Sequence, residues 1–144
     1  MVKYILIGFT FFFVTGIIAQ DWKTDYNEAL ASAKAESKPL ILVFTGSDWC
    51  APCIRLDKSI FTSEEFKEYS SKNYVLYRAD FPRKKTNQLP TELINQNKKL
   101  AERYNPRGRY PLVLVLDDKE QVLGKTGYKR VSPKAYINKL NSFL

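Results

Sequence analysis

The sequence predicts an α/β domain: a central four-stranded mixed sheet flanked by helices, with one extra helix at its N-terminal side. Three observations predict it. Segments with helical spacing alternate with short apolar runs, in the order α-β-α-β-α-β-β-α. Two of these runs, Leu40-Ile41-Leu42-Val43-Phe44 and Leu112-Val113-Leu114-Val115-Leu116, are apolar at every position, the mark of strands buried on both faces. The turn Asp117-Asp118-Lys119-Glu120 then folds a strand back as a hairpin, adding an antiparallel partner to strands that crossover helices make parallel.

The first segment is set apart from this domain. Lys3 gives a positive start, Tyr4 to Ile18 carries no charge, and Ala19 is a small residue suited to the position before a cut. The run is shorter than the roughly 20 apolar residues that cross a bilayer, so it reads as a signal peptide over 1–19. Ile17 stands where a small residue is preferred, and an uncleaved anchor or a buried strand are the other readings. The expectation is an exported protein, periplasmic or extracellular, with one domain over 20–144 and no stable membrane anchor.

Asp25 with Glu28 has the form of a capping box, and Tyr26, Leu30 and Ala33 follow at helical spacing, giving a helix from Asp25 to Ser37. Lys38-Pro39 stops it, because a residue before proline is pushed out of helical geometry. After the first apolar strand, Gly46-Ser47-Asp48 breaks the run, and Trp49-Cys50-Ala51-Pro52-Cys53 leads into a helix supported by Ile54, Ile60 and Phe61. Thr62 with Glu65 predicts a second capping box that restarts or kinks this helix and carries it to Ser71. Tyr74 to Ala79 alternates as a strand, and a polar stretch from Phe81 to Pro90 follows. Leu93, Leu100, Ala101 and Tyr104 support a helix from Thr91 to Tyr104, closed by Asn105-Pro106. Gln121 to Thr126 pairs back on Leu112 to Leu116. Ser132-Pro133 opens a last helix, buried through Tyr136, Leu140 and Phe143. Trp22 and Phe66 read as core.

Composition narrows the chemistry. The 144 residues contain no histidine, which removes Ser-His-Asp and Cys-His catalysis and imidazole metal sites. Cysteine occurs twice, at Cys50 and Cys53, too few for a four-thiolate metal site or a multi-bridge scaffold. No cofactor and no resident metal are expected. The cysteine pair sits between a buried strand and a helix start. A thiol there faces unpaired backbone N–H groups and the positive end of the helix dipole, which favour thiolate, the nucleophilic form. Cys53 lies one turn on and can close a disulfide with Cys50, while Pro52 lacks an N–H that the first turn does not need. The chemistry expected is thiol–disulfide exchange, Cys50 attacking and Cys53 resolving. A weak structural disulfide, half of a shared metal site, and two inert buried thiols are the competing readings, with placement in an exposed turn arguing against burial.

At these residues the chain resembles the thioredoxin superfamily. Trp49-Cys50-Ala51-Pro52-Cys53 matches its W-C-x-P-C motif, and Tyr110-Pro111 before the third strand fits its cis-proline. Gly127 matches a glycine common after the hairpin. Lys38-Pro39, Ser47-Asp48-Trp49-Cys50 and Phe61-Thr62-Ser63-Glu64-Glu65 are similar to the reducing domains of periplasmic disulfide-interchange proteins. The resemblance implies a thioredoxin-like fold and an oxidoreductase, a reductase in direction. Its substrates would be protein disulfides, with an upstream thiol electron donor. Trp49, Tyr110 and Pro111 would shape the substrate groove. The family's buried acid, six residues before the first cysteine, is Phe44 here, and the residue after the proline is Leu112 where threonine is common. Asp48 is the nearby candidate to replace that acid. Phe44 also supports a second reading, a binding or chaperone module using contacts in place of exchange; transient metal delivery through the dithiol is a third.

The net charge of +8 is unevenly spread. From Arg78 to Arg109, nine basic residues face only Asp80, Glu92 and Glu102, a local balance of +6, and Arg107 and Arg109 precede Tyr110-Pro111. This predicts either steering of an acidic partner or a solvated basic surface. An exported chain with no binding motif is a poor match for nucleic acid.

Overall fold

The computed structural model describes residues 20–144; the expected signal peptide, 1–19, lies outside the described residues. The elements are β1 (Trp22–Lys23), α1 (Tyr26–Glu36), β2 (Leu40–Thr45), α2 (Ala51–Leu56) continued by a π-helical turn (Asp57–Phe61), α3 (Glu64–Asn73), β3 (Val75–Asp80), a 3₁₀ turn (Lys85–Asn87), α4 (Thr91–Tyr104), β4 (Leu112–Leu116), β5 (Val122–Thr126) and α5 (Pro133–Asn141). The sheet order is β1-β3-β2-β4-β5. β2 and β3 are parallel, while β4 runs antiparallel to both β2 and β5. The expected mixed sheet is therefore present with a fifth strand. β1, parallel to β3 at Leu76 and Tyr77, is two residues long and has no periodicity to read.

The central strand explains the layering. All six residues of β2 are buried, and alternate side chains feed opposite cores. Leu40, Leu42 and Phe44 pack with Tyr26, Ala29 and Ala33 of α1 and Leu100 of α4. Ile41 and Val43 pack with Leu56, Ile60, Phe61 and Phe66 and with Tyr136, Ile137 and Leu140 of α5. Ala29, in place of the expected Leu30, joins Tyr26 and Ala33 as the buried stripe of α1; Leu30 is half-buried. Phe66 and Tyr136 are fully buried as expected, whereas Trp22 and Phe143 are half-buried, packed against the second core.

Asp25 caps α1 as the sequence implies, its carboxylate accepting from Glu28 N–H at 2.9 Å. The restart after the active-site helix differs. Ser63, not Thr62, is the N-cap of α3, accepting from Phe66 N–H at 3.2 Å. The Thr62 N–H closes the π-helical turn on the Asp57 carbonyl at 2.9 Å, and its hydroxyl turns back to donate to the carbonyls of Asp57 (3.0 Å) and Lys58 (3.1 Å).

Candidate active site

Strand register brings three loops to one end of the sheet. Thr45 is paired with Asp80, and Phe44 with Leu112. The segments after Gly46, after Asp80 and before Leu112 therefore converge. Cys50 is the N-cap of α2 in extended conformation, with Pro52 in the first turn. Its N–H donates to the Gly46 carbonyl at 2.9 Å. Cys50 and Cys53 are joined in a disulfide, their Cα atoms 5.2 Å apart. The turn reaches the surface, but the pair does not stay open to solvent: Cys50 is 5% exposed and Cys53 3%. Across from this turn the Tyr110–Pro111 peptide is cis, as the resemblance implies.

Trp49, Tyr110 and Pro111 come together as expected, with neighbours the sequence did not point to. The Trp49 indole N–H donates to the Phe81 carbonyl at 2.7 Å. Its ring meets Tyr110 edge-on at 5.5 Å between centroids, and Tyr110 meets Phe81 likewise at 5.7 Å. The Arg83 guanidinium lies over the Trp49 ring, 3.8 Å from its centroid. Burial pushes the Tyr110 hydroxyl above its ordinary pKa. Gly46 is required beneath the indole: a Cβ there would sit 2.3 Å from Trp49. Gly127 lies against the cis-proline, where a Cβ would come 3.2 Å from the Pro111 carbonyl.

Asp48 does not replace the missing acid. Its carboxylate accepts from the N–H groups of Arg83 and Lys84, both at 2.9 Å, and from the Asn87 side chain at 3.0 Å. The Arg83 N–H is the largest cause that holds its pKa below the usual value. Asp48 is thus the anchor of the 82–87 loop. Asp80 ties the same region from below, accepting from Ser47 N–H at 2.9 Å and from its hydroxyl at 2.5 Å. The cis-proline loop has its own brace: buried Asn105 receives the Arg109 N–H at 2.9 Å and donates to the Arg109 carbonyl at 2.8 Å. Gly108, at φ +60, makes the turn that lets the chain come back to Asn105.

Phe44 is fully buried in the α1/α4 layer, on the opposite face of the sheet from Cys53. The residues that do share a cleft with Cys53, about 220 Å³ in volume, include Val43, Thr45, Phe61, Asp57 and Arg78. Asp57 accepts from Arg78 at 2.6 Å, and Arg78 in turn lies over the Trp22 ring at 4.3 Å. Helical spacing could have marked Asp57, four residues after Cys53; nothing local in the sequence marks Arg78, which arrives through the β2–β3 register.

This geometry has known relatives. A family model described as thioredoxin-like matches residues 21–118. The disulfide bond reductase DsbH of Chlamydia pneumoniae is 35% identical over 123 residues, covering 85% of this chain and 72% of that protein. The thioredoxin-related protein DsbJ of the same organism is 35% identical over 60 residues, 42% of this chain and 17% of its own length. Among solved structures, a DsbH oxidoreductase superposes with a TM-score of 0.79 at 34% identity, over 86% of this chain and 83% of that one. A thioredoxin from Thermus thermophilus superposes at 0.64 with 17% identity over 86% of this chain and 87% of that one, a likeness of fold alone. With the family model spanning most of the described domain and the DsbH match running through the cysteine turn, the chain belongs to the thioredoxin-like family and is a thiol–disulfide oxidoreductase.

Proposed function

We propose that this oxidoreductase is exported and works as a reductase of protein disulfides, through Cys50 and Cys53. The observation that carries the reading is the Cys50–Cys53 pair at the mouth of α2, beside a cis Tyr110–Pro111 peptide and under a fixed aromatic platform. The direction is supported by the likeness to a relative named as a disulfide bond reductase. Export is supported by Lys3 and the uncharged run from Tyr4 to Ile18 ahead of the 20–144 domain. Among the described residues no helix is long and apolar enough to cross a membrane.

In the reduced protein, Cys50 as thiolate attacks one sulfur of a substrate disulfide. A Cys50–substrate disulfide forms, and the other substrate sulfur leaves as a thiolate that takes a proton. Cys53 then loses its proton and attacks the Cys50 sulfur; the second substrate thiol leaves, and the Cys50–Cys53 disulfide remains. Two electrons have passed to the substrate, and an upstream thiol donor must return them. Trp49, Tyr110 and Pro111 form the groove wall on which the substrate backbone lies. Asp57, sharing the cleft of Cys53, is the carboxylate that accepts the Cys53 proton.

Equilibration against dithiothreitol or glutathione buffers tests the direction. A potential near the thioredoxin end, about −270 mV, is expected; one near about −120 mV would make the protein an oxidant and overturn the reading. Cys53→Ser should accumulate substrate adducts on Cys50, and Cys50→Ser should neither accumulate them nor turn over.

A further inference from the structure

We propose that the rim of the redox site selects disulfides flanked by acidic residues on the partner protein, with Arg83 as its anchor. The proposal rests on the reading of Cys50–Cys53 as a pair that exchanges with protein disulfides, and it adds the chemical class of the partner.

Two of the three loops that meet at the site carry exposed cations. The 82–87 loop presents Arg83, Lys84 and Lys85, and the loop before the cis-proline presents Arg107 and Arg109. Of the nine basic residues between Arg78 and Arg109, only Arg78 and Arg103 are in ion pairs among the described residues. Two nearby carboxylates, Asp48 and Asp80, offset part of this charge, Asp48 interacting with Lys84. Asp48 is occupied by backbone N–H groups and Asn87, and Asp80 by Ser47 and the Phe81 N–H. Both acids serve to fix loop backbone, and even counting them the rim keeps a surplus of positive charge.

The placement is rigid as well as basic. Asp48 immediately precedes Trp49 and holds the backbone N–H of Arg83, while Trp49 itself is bonded to Phe81 and lies under the Arg83 guanidinium. Arg83 is therefore pinned against the side chain that adjoins Cys50. A stacked guanidinium keeps its N–H edge free to take a carboxylate in two parallel bonds, and being weakly hydrated it gives up little water to do so. Asn105 holds the backbone of Arg109 in the same way on the opposite loop. An acidic residue beside the partner's disulfide would meet the Arg83 guanidinium stacked on Trp49 on one loop, and Arg109, held through its backbone, on the other, as the disulfide approaches Cys50. Charges arranged in this way raise encounter rates by roughly 10 to 10³-fold, an advantage screened as salt rises.

The test uses the full reduced protein and three disulfide probes: two peptides of identical disulfide core, one flanked by Asp and one by Lys, and a small neutral disulfide. At low ionic strength the Asp-flanked peptide should react on the order of tenfold faster than the Lys-flanked one, with the gap closing at high salt. Arg83→Gln with Arg109→Gln should shrink that ratio at least about threefold. Lys34→Gln with Lys119→Gln, removing one charge from the last turn of α1 and one from the turn between β4 and β5, should leave it in place. Equal rates for both peptides overturn the proposal, and so does an equal loss of the ratio in both double variants, since net charge alone would then be steering. Failure of all three probes, the neutral disulfide included, refutes the exchange reading itself and the proposal with it.

Discussion

Phe44 and Asp57 show how a single side chain decides what Cys53 can do. The position that carries a buried acid in the family pattern is here a ring sealed into the α1/α4 core, so β2 supplies no proton acceptor to the resolving cysteine. The carboxylate in Cys53's cleft comes from the far side, on the turn after α2, held in place by Arg78. Asp57→Asn keeps the shape and removes the acceptor. It should lengthen the life of the Cys50–substrate disulfide by about tenfold, below the 10² to 10⁴ of an enclosed general base because this cleft is open to water. The loss of stability should stay within about 1 kcal/mol, since the Asp57–Arg78 pair is half-exposed. Acid-quenched time courses give the lifetime directly; an unchanged lifetime would remove Asp57 from the reaction. Residues such as Cys50, Cys53, Trp49, Tyr110 and Pro111 were legible because a motif or a chain neighbour marks each one. Asp48 was legible as a candidate and proved to be a loop anchor, because what it binds are N–H groups 35 and 36 residues away. Arg83, Phe81 and Arg78 have no mark of their own; they reach the site only through strand register.

Elements were readable where the chain punctuates itself. α4 and β4 have the bounds expected, Thr91–Tyr104 and Leu112–Leu116, because Pro90 and Asn105-Pro106 close the helix and an unbroken apolar run defines the strand. α1 is ended more subtly than by Lys38-Pro39 alone. Ser37 takes a left-handed conformation at φ 52, and the Lys38 N–H donates to the Ala33 carbonyl at 3.0 Å. A side chain is strained there, where glycine is not, so Ser37→Gly should stabilise the protein by about 0.5–1 kcal/mol. Urea unfolding of the oxidised protein measures it, and thiol–disulfide exchange activity should be unchanged because Ser37 lies at the opposite end of β2 from Cys50. A loss of stability would mean that the serine contributes more than its backbone geometry shows. The same reasoning explains what the sequence hid. β1 is too short to have a period, and the choice of Ser63 over Thr62 as cap depends on a π-helical turn that no spacing announces.

For the whole molecule, the absence of histidine sets the response to pH. With both cysteines in the disulfide, no side chain has an ordinary pKa between the carboxylates and about 10, so the stability of the oxidised protein should be flat from about pH 6 to 9. The plateau should end abruptly. Burial is the leading cause that pushes the hydroxyls of Tyr26, Tyr74, Tyr77 and Tyr136 upward, and each donates a hydrogen bond: to Glu120, Asn141, Asn97 and the Gly127 carbonyl. A pKa raised on folding gives stability that is complete below the unfolded value, about 10, and is lost as pH climbs through the folded one. Tyrosinate absorbance from these four side chains should therefore appear together with loss of circular dichroism above pH 10; ionisation of all nine tyrosines with the dichroism retained would refute this. Reduction changes the plateau itself, because Cys50 and Cys53 then become its titrating side chains. A thiolate favoured by the end of α2 is lost as pH falls, so the reduced form should gain stability with rising pH where the oxidised form does not. The difference between the two curves belongs to the two thiols alone. A reduced protein as flat as the oxidised one would show that the helix end does not favour the thiolate, and the attack assigned to Cys50 would lose its physical basis.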